Sequence, residues 1–307
     1  MVNVGVIGVG YLGQHHARIY SQLEGVRLSA VVDTDPAQAE SVAHRYGGTA
    51  CADYREILGE VDAVSIVTPT TAHYEIAREC IRAGKDVMIE KPVTAELADA
   101  DALVEEAEKA GIIAQVGHLE RFNPAVLAVY PLIEEPRFIE AERLSPFLGR
   151  GTDVDITLDL MIHDIDIILA ILARGRGGVS LKDSKAVVAK VLTEKIDVAK
   201  VWLEFDNGAQ ALLTASRLSP EKSRKLKIFQ ENSYLLVDYQ LMEIRRFMKN
   251  GGKISQETVT VEKCEPLKEE LRDFIECVVS RRDPVVSLRD GRNALALALQ
   301  IGERLRL

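Results

Sequence analysis

Two clusters in this chain have the residue types and spacing that proton transfer needs. The first is Glu90-Lys91-Pro92, where a single ammonium group follows directly on the apolar run Val87-Met88-Ile89. A lysine at the end of a buried strand is partly desolvated, which lowers its pKa and suits it to share a proton with a reacting hydroxyl. The bland alternative is a lysine that only opens a surface loop. The second cluster is Asp159-x-x-x-His163. At i,i+4 on a helix both side chains leave the same face, and a carboxylate beside an imidazole fixes its tautomer and raises its basicity. Asp155, Asp164 and Asp166 add acids nearby. They could ligate a metal, but only His163 supplies nitrogen and no second histidine is near in sequence, so no metal is expected. A satisfied core histidine is the structural reading of His163.

Groups of this kind need a reactant held against them, and the start of the chain provides a holder. Asn3-Val4-Gly5-Val6-Ile7 reads as a strand running into Gly8-Val9-Gly10-Tyr11-Leu12-Gly13, followed by helical spacing from Gln14 to Leu23 and a second apolar run, Leu28 to Asp33. Strand, G-x-G-x-x-G turn, helix and strand ending in an acid make up the dinucleotide-binding fingerprint. Gly8 allows the tight turn, Gly10 lets pyrophosphate approach the backbone, and Gly13 lets the helix lie close to the sheet, with Tyr11 and Leu12 completing the cofactor loop. Asp33 stands about twenty residues past Gly13, where a carboxylate accepts hydrogen bonds from an adenine ribose. It would repel a 2′-phosphate, and no arginine follows at once, so NAD is expected over NADP.

From Met1 to about His118 strand and helix patterns alternate, which specifies a parallel sheet with helices on both faces. Helices are expected over Pro36–Tyr46, Thr71–Ala83 and Ala95–Ala110, and buried strands over Ala63–Val67, Asp86–Glu90 and Ile112–Val116. Ligands bind at the ends of such strands, which puts Thr68-Pro69-Thr70, His73, Glu90, Lys91 and His118 at the cofactor edge. His15 and His16 read as surface or packing residues, and His44 sits on a solvated helix. After His118 the pattern changes. Glu120–Ile133 looks helical, Arg137–Leu144 alternates like a strand, Asp155–Leu172 reads as a long helix, and alternating runs continue from Ala186 to Val261. Asp206-Asn207-Gly208 is a strong hairpin turn and Gly251-Gly252 a weaker one. Two helices, Leu267–Ser280 and Leu288–Arg306, close the chain. The expected fold is α/β: a Rossmann dinucleotide-binding domain over residues 1–119, then an α+β domain over 120–307 with an open, mostly antiparallel sheet.

A chain of 307 residues exceeds what one core usually serves, which agrees with two domains. With 38 basic and 47 acidic residues the net charge is −9, which argues against nucleic acid or an anionic membrane as partner. No apolar run approaches the roughly 18 residues of a membrane span. Cys51, Cys80, Cys264 and Cys277 stand far apart, and Met1–Ile7 reads as a strand, not a secretory leader; both point to a cytoplasmic protein with reduced thiols.

The Gly8–Gly13 turn with Asp33, Thr68-Pro69-Thr70-Thr71-Ala72-His73, Glu90-Lys91-Pro92 and Asp159-x-x-x-His163-Asp164-Ile165-Asp166, in that order, resemble the glucose–fructose oxidoreductase and inositol dehydrogenase family. The likeness covers most of the chain and is weakest after Arg174. It implies that Lys91 is the catalytic lysine, in a turn with a cis Lys91-Pro92 bond, and that Asp159 and His163 bind the substrate hydroxyl and take its proton. It also implies hydride transfer between a sugar or cyclitol carbon and NAD, and a homodimer or homotetramer formed through the open sheet. His118-Leu119-Glu120-Arg121-Phe122-Asn123-Pro124 and Met161–Asp166 look most like members that oxidise the 3-hydroxyl of UDP-N-acetylglucosamine. A diphosphate needs cations, for which Arg121, Arg143 and Arg150 are candidates. Competing readings are a dehydrogenase or reductase of a free sugar, a cyclitol or another carbonyl or imine, and, from another class, a non-catalytic dinucleotide-binding sensor.

Overall fold

In the computed structural model, which describes residues 1–147, 155–174 and 178–304, six parallel strands form the first sheet. They are β1 (Val2–Ile7), β2 (Val26–Val32), β3 (Thr49–Cys51), β4 (Ala63–Ile66), β5 (Asp86–Glu90) and β6 (Ala114–Gly117), in spatial order β3-β2-β1-β4-β5-β6. Helices α1 (Gly13–Tyr20), α2 (Pro36–Tyr46), α3 (Thr70–Arg82) and α4 (Leu97–Ala110) follow the first, second, fourth and fifth strands. Every residue of β4 and β5 is buried, as strands covered on both faces must be. The strand order reverses between β1 and β4, and that switch point is where such a sheet takes its ligand. The three-residue edge strand β3 is too short to announce itself in the sequence.

The second sheet has eight strands: β7 (Phe138–Leu144), β8 (Leu181–Ala189), β9 (Val198–Phe205), β10 (Gln210–Ser216), β11 (Ser223–Phe229), β12 (Ser233–Asp238), β13 (Glu243–Asn250) and β14 (Lys253–Val259). Their order is β14-β13-β12-β11-β7-β10-β9-β8, and only β7 with β10 is parallel. The sheet is therefore mostly antiparallel, with β7 slotted into the middle of the later meander. Ile139, Ala141, Val201, Leu203, Leu213, Ile228 and Val237 point to one face and form a core with Ile165 and Ile168. The Asp206–Gly208 turn is present, but only Gly208 takes positive φ (84°), whereas Gly251 and Gly252 both do, at 53° and 84°. The second turn thus uses its glycines more fully than the first.

Three expectations need correction. The helix expected over Glu120–Ile133 is broken into a 3₁₀ turn at Leu119–Phe122, a short α5 (Pro124–Val129) and a further 3₁₀ turn at Tyr130–Leu132. Pro124 and Pro131 cannot donate a main-chain N–H inside a helix; Pro124 can only start one, capped by Asn123, whose Oδ1 accepts the Ala125 N–H at 3.0 Å. The long helix expected from Asp155 is a π-helical turn at Thr157–Met161 leading into α6 (Ile162–Ala173). Such turns recur at functional sites because they re-aim side chains.

The third correction concerns the domain boundary, since 120–307 is not one body. Helix α7 (Pro266–Ser280) and the start of α8 (Leu288–Arg304) belong with the first sheet: one compact unit is Met1–Leu119 with Glu265–Arg292, the other Glu120–Cys264 with the residues from Asn293 onward. Leu271 and Phe274 of α7 are fully buried with Val4, Val6, Ile19 and Tyr20. Arg281, past the end of α7, pairs with Asp86 at 2.6 Å, and Gln115 Nε2 donates to the Glu270 carbonyl at 3.1 Å. An amphipathic helix shows in sequence that it has an apolar face, but not which sheet receives it.

Candidate active site

The glycine turn is built as its spacing requires. Gly8 has φ of 84°, and a Cβ there would lie 2.7 Å from the Val67 carbonyl oxygen, which packs the loop after β1 against the loop after β4. A Cβ on Gly13 would lie 1.9 Å from the Gly8 carbonyl oxygen, so the first turn of α1 closes directly on the loop. At Gly10 an added Cβ would meet nothing within 4 Å, which leaves the backbone open to a ligand. No side chain caps α1 and its first turn holds no acid, so its positive end has no built-in counter-charge. Tyr11 and Leu12 stand exposed at the lip.

Asp33 closes the other side of this loop. One carboxylate oxygen accepts the Val9 N–H at 2.9 Å and the other the Asp35 N–H at 3.0 Å. Each oxygen keeps a lone pair for the two hydroxyls of a ribose. Replacing Asp33 by serine is expected to weaken NAD binding and to narrow its margin over NADP, measured by calorimetry with each dinucleotide. Equal affinities in the unaltered protein would show that this carboxylate does not face the ribose.

Across the switch point, Thr68 is half-buried, and its Oγ1 is buried with no hydrogen-bond partner among the described residues. A buried hydroxyl without a partner is costly, and a bound ligand would satisfy it. Pro69 and Thr70 open α3 beside it. The gap at Gly10, the uncapped helix, the spare lone pairs of Asp33 and the waiting Thr68 hydroxyl together fit a dinucleotide.

Glu90 and Lys91 end β5, and the Lys91-Pro92 peptide is cis. One Glu90 carboxylate oxygen accepts the Lys91 N–H at 3.2 Å, and the other lies 3.4 Å from His16 Nε2. His16 is wholly buried, with Nδ1 3.3 Å from Ser65 Oγ, which in turn lies 2.9 Å from the Tyr20 hydroxyl. Burial pushes the Tyr20 hydroxyl well above its ordinary pKa, so it stays a neutral partner. This polar layer beneath Glu90 is absent from the sequence expectations, which left His16 as a surface or packing residue. Its position three residues past Gly13, on the sheet side of α1, was the available signal. Gly117 belongs to the same seat, for a Cβ there would come within 2.8 Å of Glu90 Oε1.

His73 was expected to touch the cofactor, and its geometry argues otherwise. It is buried, with Nδ1 3.0 Å from the Pro92 carbonyl oxygen and Nε2 2.9 Å from that of Thr68. Both nitrogens are taken by main chain, so neither is offered to a ligand. His118 is buried directly after β6.

In the second unit, Asp159 lies within the π-helical turn and His163 in the first turn of α6. Asp159 Oδ2 is 3.9 Å from Arg217, a buried residue just past β10 that the sequence gave no reason to single out. Arg217 also approaches Asp197 at 4.0 Å. Burial works to raise the Asp197 carboxyl, but the N–H groups of Val191, Leu192 and Thr193 outweigh it and hold it down at about 2. Asp155 accepts the Ile196 N–H at 3.2 Å. Among the described residues no group of three or more His, Cys, Asp or Glu is arranged to hold a metal ion.

The cations proposed for a diphosphate fare differently. Arg143 is not available: it is 1% exposed, forks onto Asp164 with two contacts of 2.9 Å, and reaches Glu120 at 3.0 Å. Burial pushes the Glu120 carboxyl up, yet Arg143 and Arg224 outweigh this and leave it below the usual range. Arg143→Met would strand the buried Asp164 carboxylate and leave Glu120 with Arg224 as its remaining cation, so a loss of about 3–5 kcal/mol is expected from urea unfolding, with lysine a poor replacement for the planar fork. Arg121 is buried beside Asp166, with their charged groups 3.7 Å apart, which offsets its charge. Arg150 lies outside the described residues.

Comparison with known proteins agrees with this geometry. Residues 2–118 match the family described as "Oxidoreductase family, NAD-binding Rossmann fold" (GFO/IDH/MocA). A UDP-N-acetylglucosamine 3-dehydrogenase of Acidithiobacillus ferrooxidans is 35% identical, over 98% of this chain and 96% of its own length. The crystal structure of that enzyme superposes with a TM-score of 0.93, covering 99% of this chain and 97% of the other. A scyllo-inositol 2-dehydrogenase (NAD(+)) of Bacillus subtilis is 29% identical, over 93% of this chain and 89% of its own.

Proposed function

Since this chain belongs to the GFO/IDH/MocA family of NAD-binding oxidoreductases, we propose that it oxidises the 3-hydroxyl of UDP-N-acetylglucosamine. The observation that carries the substrate assignment is the end-to-end likeness at 35% identity to an enzyme of that activity. When bound, NAD supplies the carbon that accepts the hydride. Lys91, presented at the end of β5 by Glu90, holds the substrate hydroxyl and stabilises the oxygen as its proton leaves. His163 takes that proton, and Asp159 orients the imidazole and binds the sugar. His118 and Arg121 are proposed as further substrate contacts. Incubating the protein with NAD and a panel of UDP-sugars, free sugars and inositols tests this reading. NADH absorbance with UDP-N-acetylglucosamine supports it, and turnover confined to a free sugar or inositol replaces it with the runner-up.

The second sheet supports a homo-oligomer, a dimer or tetramer. Its outer face carries Trp202, Phe138, Phe229, Tyr234 and Phe247 as a ladder of stacked rings with neighbouring centroids 4.8 to 5.6 Å apart, all half-exposed. A contiguous aromatic strip of this kind is suited to cover by a second copy. Sedimentation velocity should show a species larger than 33.9 kDa, and Phe229→Glu should reduce it to the monomer. Cysteines far apart in sequence and the use of NAD favour the cytoplasm. Among the described residues no helix is long and apolar enough to cross a membrane.

A further inference from the structure

Two of the loops that form the cofactor edge are tied together by one side chain. His73 enters from the first turn of α3, is 1% exposed, and reaches the Pro92 carbonyl with Nδ1 at 3.0 Å and the Thr68 carbonyl with Nε2 at 2.9 Å. Thr68 belongs to the loop after β4, and Pro92 follows Lys91 in the loop after β5. Pro92 has no N–H with which to anchor its own turn, so its carbonyl is the handle that remains on that residue. On the other side of the lysine, the Lys91 N–H is held by Glu90 at 3.2 Å. The main chain carrying the ammonium group is thus fixed on both flanks, by a carboxylate before it and an imidazole after it.

We propose that His73 is a positioning residue, which sets the Lys91 turn against the Thr68 turn without touching the reactants. The proposal rests on Lys91 being the proton-transfer lysine. Both neighbours are carbonyl oxygens, which only accept: a neutral ring donates to one of them and an imidazolium to both, and in either form the two nitrogens face main chain. The Pro92 contact is the one that bears on Lys91, while the Thr68 contact anchors the ring.

Three substitutions separate the two contacts. Asparagine places its amide nitrogen near the position of Nδ1 and can keep the Pro92 bond; glutamine places its own near Nε2 and can keep the Thr68 bond; leucine keeps neither. Small displacements of catalytic groups can cost about 100-fold, so His73→Leu and His73→Gln should lower kcat by about tenfold or more. Their NADH dissociation constants should stay close to that of the parent protein, and His73→Asn should recover most of kcat. A loss in NADH affinity in place of kcat would overturn the proposal, as would equal kcat for the asparagine and leucine variants.

A second readout does not need the sugar. Lysines reductively methylated with ¹³C give an NMR signal for Lys91, assigned by its absence in Lys91→Arg. Its titration midpoint should move in His73→Leu and His73→Gln and stay in His73→Asn. An unmoved midpoint in all three overturns the inference. If no substrate turns over but the midpoints follow this order, the assigned reaction fails and the tether stands.

Discussion

Lys91→Ala is expected to lower kcat by about two orders of magnitude or more while leaving NADH binding nearly intact, because it would remove the proposed proton-transfer group and none of the proposed anchors of the cofactor. A loss of that size corresponds to about 2.7 kcal/mol of barrier. The residues proposed to hold the cofactor are others: the Gly8–Gly13 loop, Asp33 and Thr68. His163→Ala should show the same split, with kcat falling and NADH affinity kept. Stopped-flow absorbance for turnover and nucleotide fluorescence for binding measure the two quantities independently. Near-normal turnover in both variants would remove the proposed chemistry, whatever the fold.

The second large effect divides the glycines of the loop. Gly13→Ala should unfold the start of α1, since its methyl would lie 1.9 Å from the Gly8 carbonyl oxygen, which belongs to main chain and not to the end of a flexible side chain. Overpacking commonly costs about 1–3 kcal/mol, and a backbone clash lies at or above the top of that range. Gly10→Ala meets no neighbour within 4 Å, so its folding stability should change by no more than about 0.5 kcal/mol. Its methyl would instead occupy the space through which pyrophosphate reaches the backbone, and NAD affinity should fall by about 1.4 kcal/mol or more, tenfold in Kd. Thermal unfolding with and without NADH distinguishes the two. A Gly10→Ala variant that is unstable, or that binds NADH as the parent does, would contradict this division of labour.

Much of the cofactor half was legible because its signals are local. The glycine turn, Asp33 and the apolar runs of β4 and β5 each declare themselves within a few residues, and the parallel sense of the first sheet follows from the alternation of strand and helix. What was not legible depends on pairing over long separations. Helix α7 returns to the first sheet because Leu271 and Phe274 complete that core, and β7 enters the middle of a meander formed some seventy residues later. Neither fact is written in periodicity. The same holds for Arg143, whose charge made it a candidate ligand contact until Asp164 and Glu120 were found to enclose it. Arg217 was missed for the same reason: its approach to Asp159 depends on the sheet order, which brings the end of β10 to the π-helical turn. His73 was assigned to the cofactor edge, but a motif that sets a histidine near a ligand site does not show that its nitrogens face the Pro92 and Thr68 carbonyls.

The central claim is that hydride leaves one particular carbon of a nucleotide-linked sugar, and isotope transfer addresses it most directly. The protein would be incubated with NAD and UDP-N-acetylglucosamine carrying deuterium at C3, and the NADH formed would be analysed by mass spectrometry. The account predicts that the deuterium appears on the nicotinamide ring. Unlabelled NADH, or none, would contradict it.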